Sequence, residues 1–273
     1  PEERRKLHNP VTYQVRRAKW YWATEKRLWN GGTYVPGSPP NAAAEGAARK
    51  YIGKVFADRP DLAEAVTPTH PYWGKRPIFS TDFYPALKQP NVTLIPRAVA
   101  SVTPTGLVDT DGVEHPVDVI VMATGFRPTE YLSRLQVVGR TGTSLHDHWA
   151  GEPRAFLGVT VPTFPNFVML YGPGTNGGEI AMNLRNQAAY ARRLVKRMIR
   201  RRVTAIEVKP SFAEPYHAWL MAKMEGTAWA VSSNYFTTES GRVVTQWPLS
   251  ALDYGALLKV LGPPSESVRR RDA

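Results

Sequence analysis

The stretch that decides the fold is Phe167-Val-Met-Leu-Tyr-Gly-Pro-Gly-Thr-Asn-Gly177, which changes from an apolar run into a glycine-rich turn. Its first part, Phe167–Tyr171, predicts a strand that is buried on both faces, as in a parallel sheet. The turn Gly172–Gly178 then leads into a predicted helix over about 179–202. A strand, a glycine-rich turn and a helix N-terminus present free backbone N–H groups and a partial positive charge, which suit an anionic or electron-rich group.

The predicted helix carries apolar residues at the spacing of one helical face. This predicted apolar stripe consists of Ile180, Leu184, Ala188, Ala191, Val195 and Met198. A further strand is predicted at Val203–Val208. The helix therefore has the pattern of an amphipathic helix that follows directly on the turn.

The turn literally matches the dinucleotide-binding pattern G-x-G-x-x-G between a strand and a helix. The acid that binds a ribose is expected about 20 residues further on, whereas the nearest candidate, Glu207, lies 30 residues past Gly177. No strand–helix–strand continuation follows. We therefore interpret the turn as a binding element for an anionic or electron-rich group, and not as the start of a complete nucleotide domain.

The rest of the chain alternates between helical and extended patterns. Helices are predicted over 1–30 and 41–57. Asp111-Gly112 is typical of a hairpin turn, and Val117–Ala123 is a nearly continuous apolar run that predicts a second strand buried in a parallel sheet. Short strands are predicted at Val92–Ile95, Ala98–Val102 and Leu107–Val108.

Composition excludes several classes of protein. The 273 residues include no cysteine, which excludes disulfides and thiolate–metal sites, and we expect a reducing, cytoplasmic location. No apolar run reaches the roughly 18 residues needed to span a bilayer. The formal net charge is +12, and residues 185–209 hold nine Lys/Arg against one acid. Such a basic segment could meet nucleic acid, a membrane or a phosphate group, although charged helix faces usually contact only water.

Four stretches, in this order and with these gaps, resemble class B flavoprotein monooxygenases, in particular the hydroxyacetophenone-type Baeyer–Villiger enzymes. The resemblance covers most of the chain from about residue 55 to 255. It implies an α/β fold, namely a partial two-dinucleotide-binding-domain flavoprotein with Rossmann-like FAD and NADPH domains and a helical insertion. The stretches are Tyr72-Trp-Gly-Lys-Arg-Pro-Ile-Phe-Ser-Thr-Asp-Phe-Tyr-Pro-Ala-Leu87 with Pro90-Asn-Val-Thr-Leu-Ile95, Asp118-Val-Ile-Val-Met-Ala-Thr-Gly-Phe126, Pro165-Asn-Phe-Val-Met-Leu-Tyr-Gly-Pro-Gly-Thr-Asn176, and Ser232-Ser-Asn-Tyr-Phe236 with Gly241-Arg-Val-Val-Thr-Gln-Trp-Pro248.

The resemblance also implies segments that precede Pro1 in family order. Relatives carry a G-x-G-x-x-G for FAD, a second one for NADPH and, between them, an F-x-G-x-x-x-H-x-x-x-W signature. We therefore expect the chain to be the last half of such an enzyme, without its N-terminal half. The expected domains are the remainder of a helical insertion (1–73), the second half of the NADPH domain (74–121), the C-terminal half of the FAD domain with a cover over the active site (122–262), and a disordered tail (263–273).

The cofactors that the resemblance implies are FAD and NADPH, and the substrates are dioxygen and a ketone. Lys75 and Arg76 match the family's Lys-Arg pair. In the implied reaction a peroxyflavin attacks the ketone carbonyl, and a nearby guanidinium stabilises the negative charge that develops; arginine, unlike lysine, keeps its proton. The alternative is a surface pair of cations before a strand. Related flavin-containing monooxygenases oxygenate nitrogen or sulfur instead, and the Lys-Arg pair favours the Baeyer–Villiger branch.

The remaining site candidates are assigned to cofactor binding by the resemblance. They are Thr124, Gly125, Gly172, Pro173, Thr175, Asn176 and Trp229. The first two lie where the chain crosses between the dinucleotide domains, the next four would lie against the flavin ring, and Trp229 is positioned like a tryptophan that contacts NADPH in some relatives. The structural alternatives are a strand-end turn, a helix-start loop and a packed core aromatic residue, respectively.

Three other functions are weighed against this one. His146-Asp147-His148 has no third ligand at a useful spacing, so we predict no metal site. Nucleic-acid binding through residues 185–209 would require aromatic residues among the basic ones. Only Tyr190 is present there, so we predict no nucleic-acid partner. The last alternative is a truncated product that is inactive alone.

Overall fold

The computed structural model describes residues 9–261 and 266–270, and it forms two compact units. The large unit comprises the described residues up to Ala42, Tyr72–Lys75, and those from Arg127 onward; the small unit comprises Ala43–Pro71 and Arg76–Phe126. The residues of the predicted helical insertion are thus divided between both units. A unit boundary falls at Phe126, close to the boundary predicted at residue 121.

Helices outnumber strands among the described residues, and the strands form small antiparallel sheets. The helices are α1 (Pro10–Leu28), α2 (Pro39–Val55), α3 (Pro60–Val66), α4 (Phe83–Leu87), α5 (Leu145–Trp149), α6 (Ile180–Arg201), α7 (Pro210–Met224) and α8 (Ala251–Val260), with a 3-10 helix at Trp29–Tyr34. The strands are β1 (Val99–Val102), β2 (Gly106–Asp109), β3 (Glu114–Pro116), β4 (Val203–Val208) and β5 (Glu266–Arg270). The predicted helices around α1, α2 and α6 and the predicted strand β4 are confirmed.

The core of the large unit lies between α6, β4, α7 and α8. Its buried side chains include Tyr190 and Leu194 of α6, Ile206 and Val208 of β4, Tyr216 and Leu220 of α7, and Tyr254 and Leu258 of α8. Burial of such large side chains removes apolar surface from water, at about 1.5–3 kcal/mol for each aliphatic or phenyl-sized side chain. This core fixes the direction of α6, whose N-terminus adjoins the glycine-rich turn.

The face of α6 that is buried is not the apolar stripe that the sequence predicted. The buried residues of this helix are Asn183, Gln187, Tyr190 and Leu194, whereas none of the six stripe residues is buried. Asn183 and Gln187 bond groups in and next to the preceding turn (see below), and losing these bonds would cost more than exposing a valine. The amide oxygen of Asn183 is buried and has no hydrogen-bond partner among the described residues. The predicted stripe is therefore left at or near the surface of the described chain.

A buried carboxylate attaches α1 to the rest of the large unit. Glu25 is fully buried, and its two oxygens accept the backbone N–H groups of Ala251 (3.2 Å) and Leu252 (3.1 Å) at the start of α8. These N–H groups have no partner inside the helix, and a negative charge is favourable at a helix N-terminus. Glu25 therefore fixes where α1 meets α8.

The small unit contains a three-stranded antiparallel meander, β1-β2-β3. The predicted hairpin turn at Asp111-Gly112 is confirmed, with Gly112 at φ +80°. Asp109 organises this turn: it accepts the N–H groups of Asp111 and Val113, and it pairs with Arg97 and His115. The hydrogen bond from His115, followed by those from the Val113 N–H and from Arg97, holds the pKa of Asp109 well below its usual range.

Acid is expected to destabilise the small unit through Asp109. A carboxylate whose pKa is depressed by folding contributes stability above its unfolded pKa of about 4, and this contribution disappears as the pH falls through the folded value. Thermal unfolding followed from pH 6 to pH 2 should show this loss in the wild type and much less of it in Asp109→Asn. Asp118→Asn, which removes an exposed carboxylate, is the control. Equal acid sensitivity in all three proteins would contradict the role of Asp109.

Two predicted strands do not form in this structure. Val117–Ala123 forms no strand: the Val117 N–H donates to the Thr105 carbonyl (3.1 Å), but the run belongs to no described sheet, and Val119 and Val121 are 77% and 83% exposed. Phe167–Tyr171 bonds instead to a loop and to a side chain, through Met169 N–H to the Val159 carbonyl (2.8 Å) and Tyr171 N–H to Gln187 (2.8 Å). A strand requires a hydrogen-bonded neighbour, and neither run belongs to a described sheet. Val92–Ile95 likewise forms no strand.

The predicted disordered tail is wrong for part of its length. Residues 266–270 form β5, which pairs antiparallel with β4 from Val203↔Arg270 to Val208↔Glu266. The edge of β4 presents unpaired N–H and C=O groups, and a short extended segment satisfies them whatever its side chains are. The remaining residues of the predicted tail, 263–265 and 271–273, lie outside the described residues.

Candidate functional site

The glycine-rich turn is held against the segment that follows residue 243. Gly174 donates its backbone N–H to the carbonyl oxygen of Val244 (2.8 Å), and Thr175 and Asn176 both donate to that of Thr245 (3.1 and 2.9 Å). Three successive N–H groups of the turn are therefore already bonded within the protein. The expectation of free N–H groups is wrong for these three residues, and they form no open cradle for a phosphate.

Asn176 fixes the turn through its side chain as well. Its amide nitrogen donates to Gln246 Oε1 (2.5 Å), and its amide oxygen accepts from the Tyr171 hydroxyl (2.7 Å). Its carbonyl oxygen accepts the N–H of Trp247 (3.0 Å). Thr175, which is buried, closes the turn by donating its hydroxyl to the Gly172 carbonyl (2.7 Å). Gly172, Thr175 and Asn176 thus belong to one hydrogen-bonded unit, which encloses Pro173.

The free backbone N–H groups of this region lie directly after the turn, at the start of α6. The N–H groups of Ile180 and Ala181 have no acceptor among the described residues, and the N-cap residue Glu179 makes no side-chain cap. Both residues are exposed. The positive pole of a 22-residue helix is therefore open to a ligand beside the turn.

Two glycines of the turn are required by close packing. A Cβ on Gly172 would overlap the carbonyl oxygen of Gly158, and a Cβ on Gly177 would overlap the carbonyl oxygen of Trp247. Both obstacles are backbone atoms, so a rotamer change could not relieve them. The glycines allow the turn to lie directly on its two neighbouring segments.

Gly177→Ala is therefore expected to destabilise the large unit by about 1–3 kcal/mol, the usual cost of forcing extra volume into a packed region. Gly46→Ala is the matched control, because it lies in α2 with nothing within 4 Å of the added Cβ. That change should stabilise the protein by up to about 1 kcal/mol. Denaturant unfolding of both variants measures the difference. Equal stability of Gly177→Ala and the wild type would show that the turn does not need this glycine.

A chain of buried hydrogen bonds connects the turn to the core. Gln187 of α6 accepts the Tyr171 N–H (2.8 Å) and donates to the Tyr254 hydroxyl (2.6 Å), which in turn donates to the Leu157 carbonyl (2.6 Å). Asn183, one helical turn earlier, donates to the Gly177 carbonyl (2.7 Å). These amides transmit the position of α6 to the turn, so that the turn and the helix N-terminus keep one geometry.

Trp229 lies in an aromatic cluster beside the start of α6. Its ring centroid is 4.3 Å from that of Tyr34, which in turn contacts Trp73 at 5.4 Å. Burial raises the pKa of the Tyr34 hydroxyl to about 12, and the Gly178 N–H, which donates to that hydroxyl, partly opposes the shift. The buried indole nitrogens of Trp229 and Trp73 have no hydrogen-bond partner among the described residues. The structure therefore places Trp229 and the turn in one region.

The other predicted site residues are exposed. Lys75 is the last residue of its segment of the large unit, and Arg76 opens a segment of the small unit. Neither side chain has a hydrogen bond or ion pair within the described part of the chain. Thr124 and Gly125 belong to the small unit and lie in an exposed segment without assigned secondary structure, where Gly125 has φ +100°.

The sequence interpretation missed Tyr34, Trp73 and Gln187. Trp73 lies inside a stretch that carried the family resemblance, directly before Gly74 and Lys75. Gln187 shares the i, i+3, i+4 spacing of Asn183 and Tyr190, so a second helical face was visible in the pattern. Tyr34 had no local signal, because its role depends on a contact with a residue far along the chain.

Two further observations concern ligands and membranes. In the part of the chain that the structure describes, no group of three or more His, Cys, Asp or Glu side chains is arranged to hold a metal ion. None of the helices in that part combines the length and the apolar character that a membrane crossing needs.

The basic segment 185–209 is predicted not to bind nucleic acid. Phosphate contacts by several Lys and Arg residues would give an affinity that falls steeply with salt. A fluorescence-anisotropy titration with labelled duplex and single-stranded DNA at 50 and 150 mM salt should show no tight binding near physiological salt. Micromolar or tighter binding at 150 mM that weakens steeply with added salt would overturn this prediction.

Comparison with curated proteins reveals relatives over most of the chain. A Baeyer–Villiger monooxygenase of Pseudomonas aeruginosa is 35% identical over 252 residues, which are 90% of this chain and 47% of the relative. An FAD-binding monooxygenase of Aspergillus niger is 32% identical over 228 residues, which are 81% of this chain and 37% of the relative. The chain therefore spans about half or less of the length of the curated relatives that it matches. No protein-family model matches it.

Comparison with solved structures likewise finds monooxygenases. Cyclohexanone monooxygenase from Rhodococcus sp. Phi1 bound to NADP+ matches with a TM-score of 0.73 and 27% identity, over 88% of this chain and 47% of that protein. An oxidised steroid monooxygenase bound to NADP matches in fold with a TM-score of 0.76 and 24% identity, over 88% of this chain and 47% of that one. The predicted fold class, part of a two-dinucleotide-binding flavoprotein, is confirmed by these matches.

Proposed function

Since this chain belongs, over the part that it spans, to the Baeyer–Villiger and FAD-binding monooxygenase family, we propose that it forms the C-terminal half of an FAD- and NADPH-dependent monooxygenase. The proposed reaction converts a ketone, dioxygen, NADPH and a proton into an ester, water and NADP+. The observation that carries the proposal is the turn 172–178, because it lies within the aligned region and directs an uncapped helix N-terminus outward.

The residues of the turn fit the ring of a flavin better than its phosphates. The N–H groups of residues 174–176 are bonded to carbonyls, so a pyrophosphate finds no donors there. The open N–H groups of Ile180 and Ala181 would face an electron-rich edge, while Gly172 and Pro173 keep the backbone rigid beside it. When bound and reduced by NADPH, FAD would supply the activation of dioxygen. Trp229 is buried against Tyr34 in the described chain, so its proposed contact with NADPH next to this ring would require this face of the cluster to open.

Lys75 and Arg76 are the proposed catalytic cations. The proposal rests on the family Lys-Arg pair and on their exposed, unpaired side chains, which remain available for a ligand. Arg76 would stabilise the negative charge that develops while oxygen is inserted next to the carbonyl. Thr124 and Gly125 would contact a cofactor where the chain leaves the small unit, because a glycine at φ +100° permits close approach of the backbone.

The proposed activity requires the part of the fold that the relatives have and this chain does not span. It could be supplied by the same polypeptide or by a separate one. The engaged N–H groups of the turn support this requirement, since residues 174–176 cannot donate them to a pyrophosphate. A cytoplasmic location and a ketone as the substrate are parts of the same proposal.

A chimera tests this function directly. In the Pseudomonas aeruginosa relative, the matching segment is replaced by this 273-residue chain, and the product is assayed with NADPH, ¹⁸O₂ and a panel of aryl and cyclic ketones and organic sulfides. We expect a yellow protein, ketone-dependent NADPH oxidation and one ¹⁸O in the ester. Oxygenation of sulfides alone would favour the nitrogen- and sulfur-oxygenating branch. A folded, flavin-loaded chimera that oxidises neither class would refute the proposal.

A further inference from the structure

Near its C-terminus, α6 exposes Val195 of the predicted stripe and the neighbouring Ile199, whereas Met198 is partly buried against the core. Val195 is 54% exposed, and Ile199, one helical turn further, is 72% exposed. With Met198 they form one wall of a groove of about 770 Å³. The helix α6 therefore has two surfaces that could pack against other segments. The face with Asn183 and Gln187 is buried in this chain, whereas the face with Val195 and Ile199 is exposed.

The opposite wall of the groove is held firmly in place. It consists of Phe164, Phe167 and Val168, with β4 as the floor. Asn166, in the same loop, donates its side-chain N–H to the Thr204 carbonyl (2.9 Å) and accepts the Ile206 N–H (3.1 Å), so the wall is tied to β4. The groove is thus preformed and does not depend on the movement of a loop.

The groove is distinct from the turn region. Met198 lies eighteen residues along α6 from Ile180, which at 1.5 Å per residue places it about 27 Å away. Arg202 lines the groove, and three more basic residues of α6 lie within three positions of Val195 or Ile199, namely Arg192, Lys196 and Arg200. All four are exposed and have no ion pair within the described part of the chain. The one acid at the rim, Glu207, is already engaged by Arg140 at 3.0 Å. The rim therefore carries a net positive charge.

We propose that this groove is an interface for the part of the monooxygenase fold that the chain does not span, and that its occupant is an amphipathic segment with apolar residues in the groove and acidic residues along its edges. This inference rests on the proposed function. The chain covers 47% of the Pseudomonas aeruginosa relative, so about half of that fold must pack against surfaces such as this one. The apolar walls and the basic rim determine the chemistry of the segment.

The experiment uses two separate chains. The 273-residue chain is titrated with the portion of the Pseudomonas aeruginosa relative that lies outside the matched region, and binding is followed by calorimetry and sedimentation. The variants Ile199→Glu and Val195→Glu place a negative charge at exposed positions of the groove, where folding does not require the original side chain. Val260→Glu, at a residue that is 70% exposed on α8, is the matched control.

The wild-type chain is expected to bind, and the two groove variants should bind about tenfold or more weakly, because a buried interface centre carries most of the affinity. The control should bind like the wild type, and affinity should fall with added salt because the rim is charged. No binding by the wild type, or groove variants that bind like the wild type, would overturn the proposal. Two other outcomes would also overturn it. The chain could self-associate, or it could bind phosphatidylglycerol vesicles, and Ile199→Glu would abolish that binding without changing the affinity between the two chains.

The same design separates the interface from the activity. A complex that forms through the groove but does not oxygenate ketones would leave the interface standing and refute the proposed function. If a complex that carries Ile199→Glu forms with unchanged affinity and oxygenates ketones fully, the proposed function would stand and the interface would be refuted.

Discussion

Replacing Arg76 by alanine in the assembled enzyme is expected to lower the rate of ketone oxygenation by about a hundredfold or more, which is the usual cost of losing one group that stabilises developing charge. The guanidinium is exposed and makes no hydrogen bond or ion pair with the described residues, so its removal should cost little stability. Flavin content should therefore remain that of the wild type while the rate falls.

Controls separate a lost charge from a disturbed fold. Arg49→Ala removes another exposed arginine of the small unit, one that pairs with Glu45, and should retain activity. Arg76→Lys keeps the charge but not the planar geometry, so partial activity is expected. Rates are measured with saturating NADPH and ketone, together with the visible spectrum. Steady-state oxygenation by Arg76→Ala within a few-fold of the wild type would remove Arg76 from the catalytic assignment.

The second large effect concerns cofactor retention: the 273-residue chain alone should bind no stoichiometric FAD and should not oxidise NADPH. Dinucleotide folds hold a pyrophosphate on open N–H groups of a glycine-rich turn and a ribose on an acid at the end of the next strand. Here Gly174, Thr175 and Asn176 already donate to backbone carbonyls. Glu207, the acid nearest to the expected place, is bonded to Arg140. What remains, including the open N–H groups of Ile180 and Ala181, would contact mainly the flavin ring.

The same chain should also tend to aggregate. Apolar side chains of Val117–Ala123 are exposed, and exposed apolar surface and unpaired backbone promote association. The test is to incubate the purified chain with excess FAD, desalt it, and record its visible spectrum and sedimentation profile. A yellow, monodisperse protein with near-equimolar flavin would show that the turn 172–178 is a working dinucleotide site by itself.

Local patterns predicted much of the secondary structure. The helix after the turn, the strand β4 and the hairpin at Asp111-Gly112 follow from spacing and from the special backbone freedom of glycine. The quoted motifs predicted the fold family, which the relatives confirm. The candidate residues of the turn could also be located in this way, because the turn and the helix start are contiguous in sequence.

Contacts between segments that are distant in the sequence decided how the turn is bonded and which aromatic residues pack together. Nothing near Gly174 in the sequence indicates that Val244 and Thr245 would take the N–H groups of the turn. The pairing of Tyr34 with Trp229 likewise joins residues that are far apart in the chain.

The sequence by itself determined where helices and turns begin, because periodicity and glycine positions act on neighbouring residues. Only the tertiary structure decided which face of α6 is buried. Its apolar stripe and its amide-containing face are both plausible packing surfaces, and the choice depends on Asn183 and Gln187 finding Gly177, Tyr171 and Tyr254. Losing the bonds that these buried amides make would cost more than leaving an apolar side chain exposed to water. That difference leaves Val195 and Ile199 at the surface of this chain.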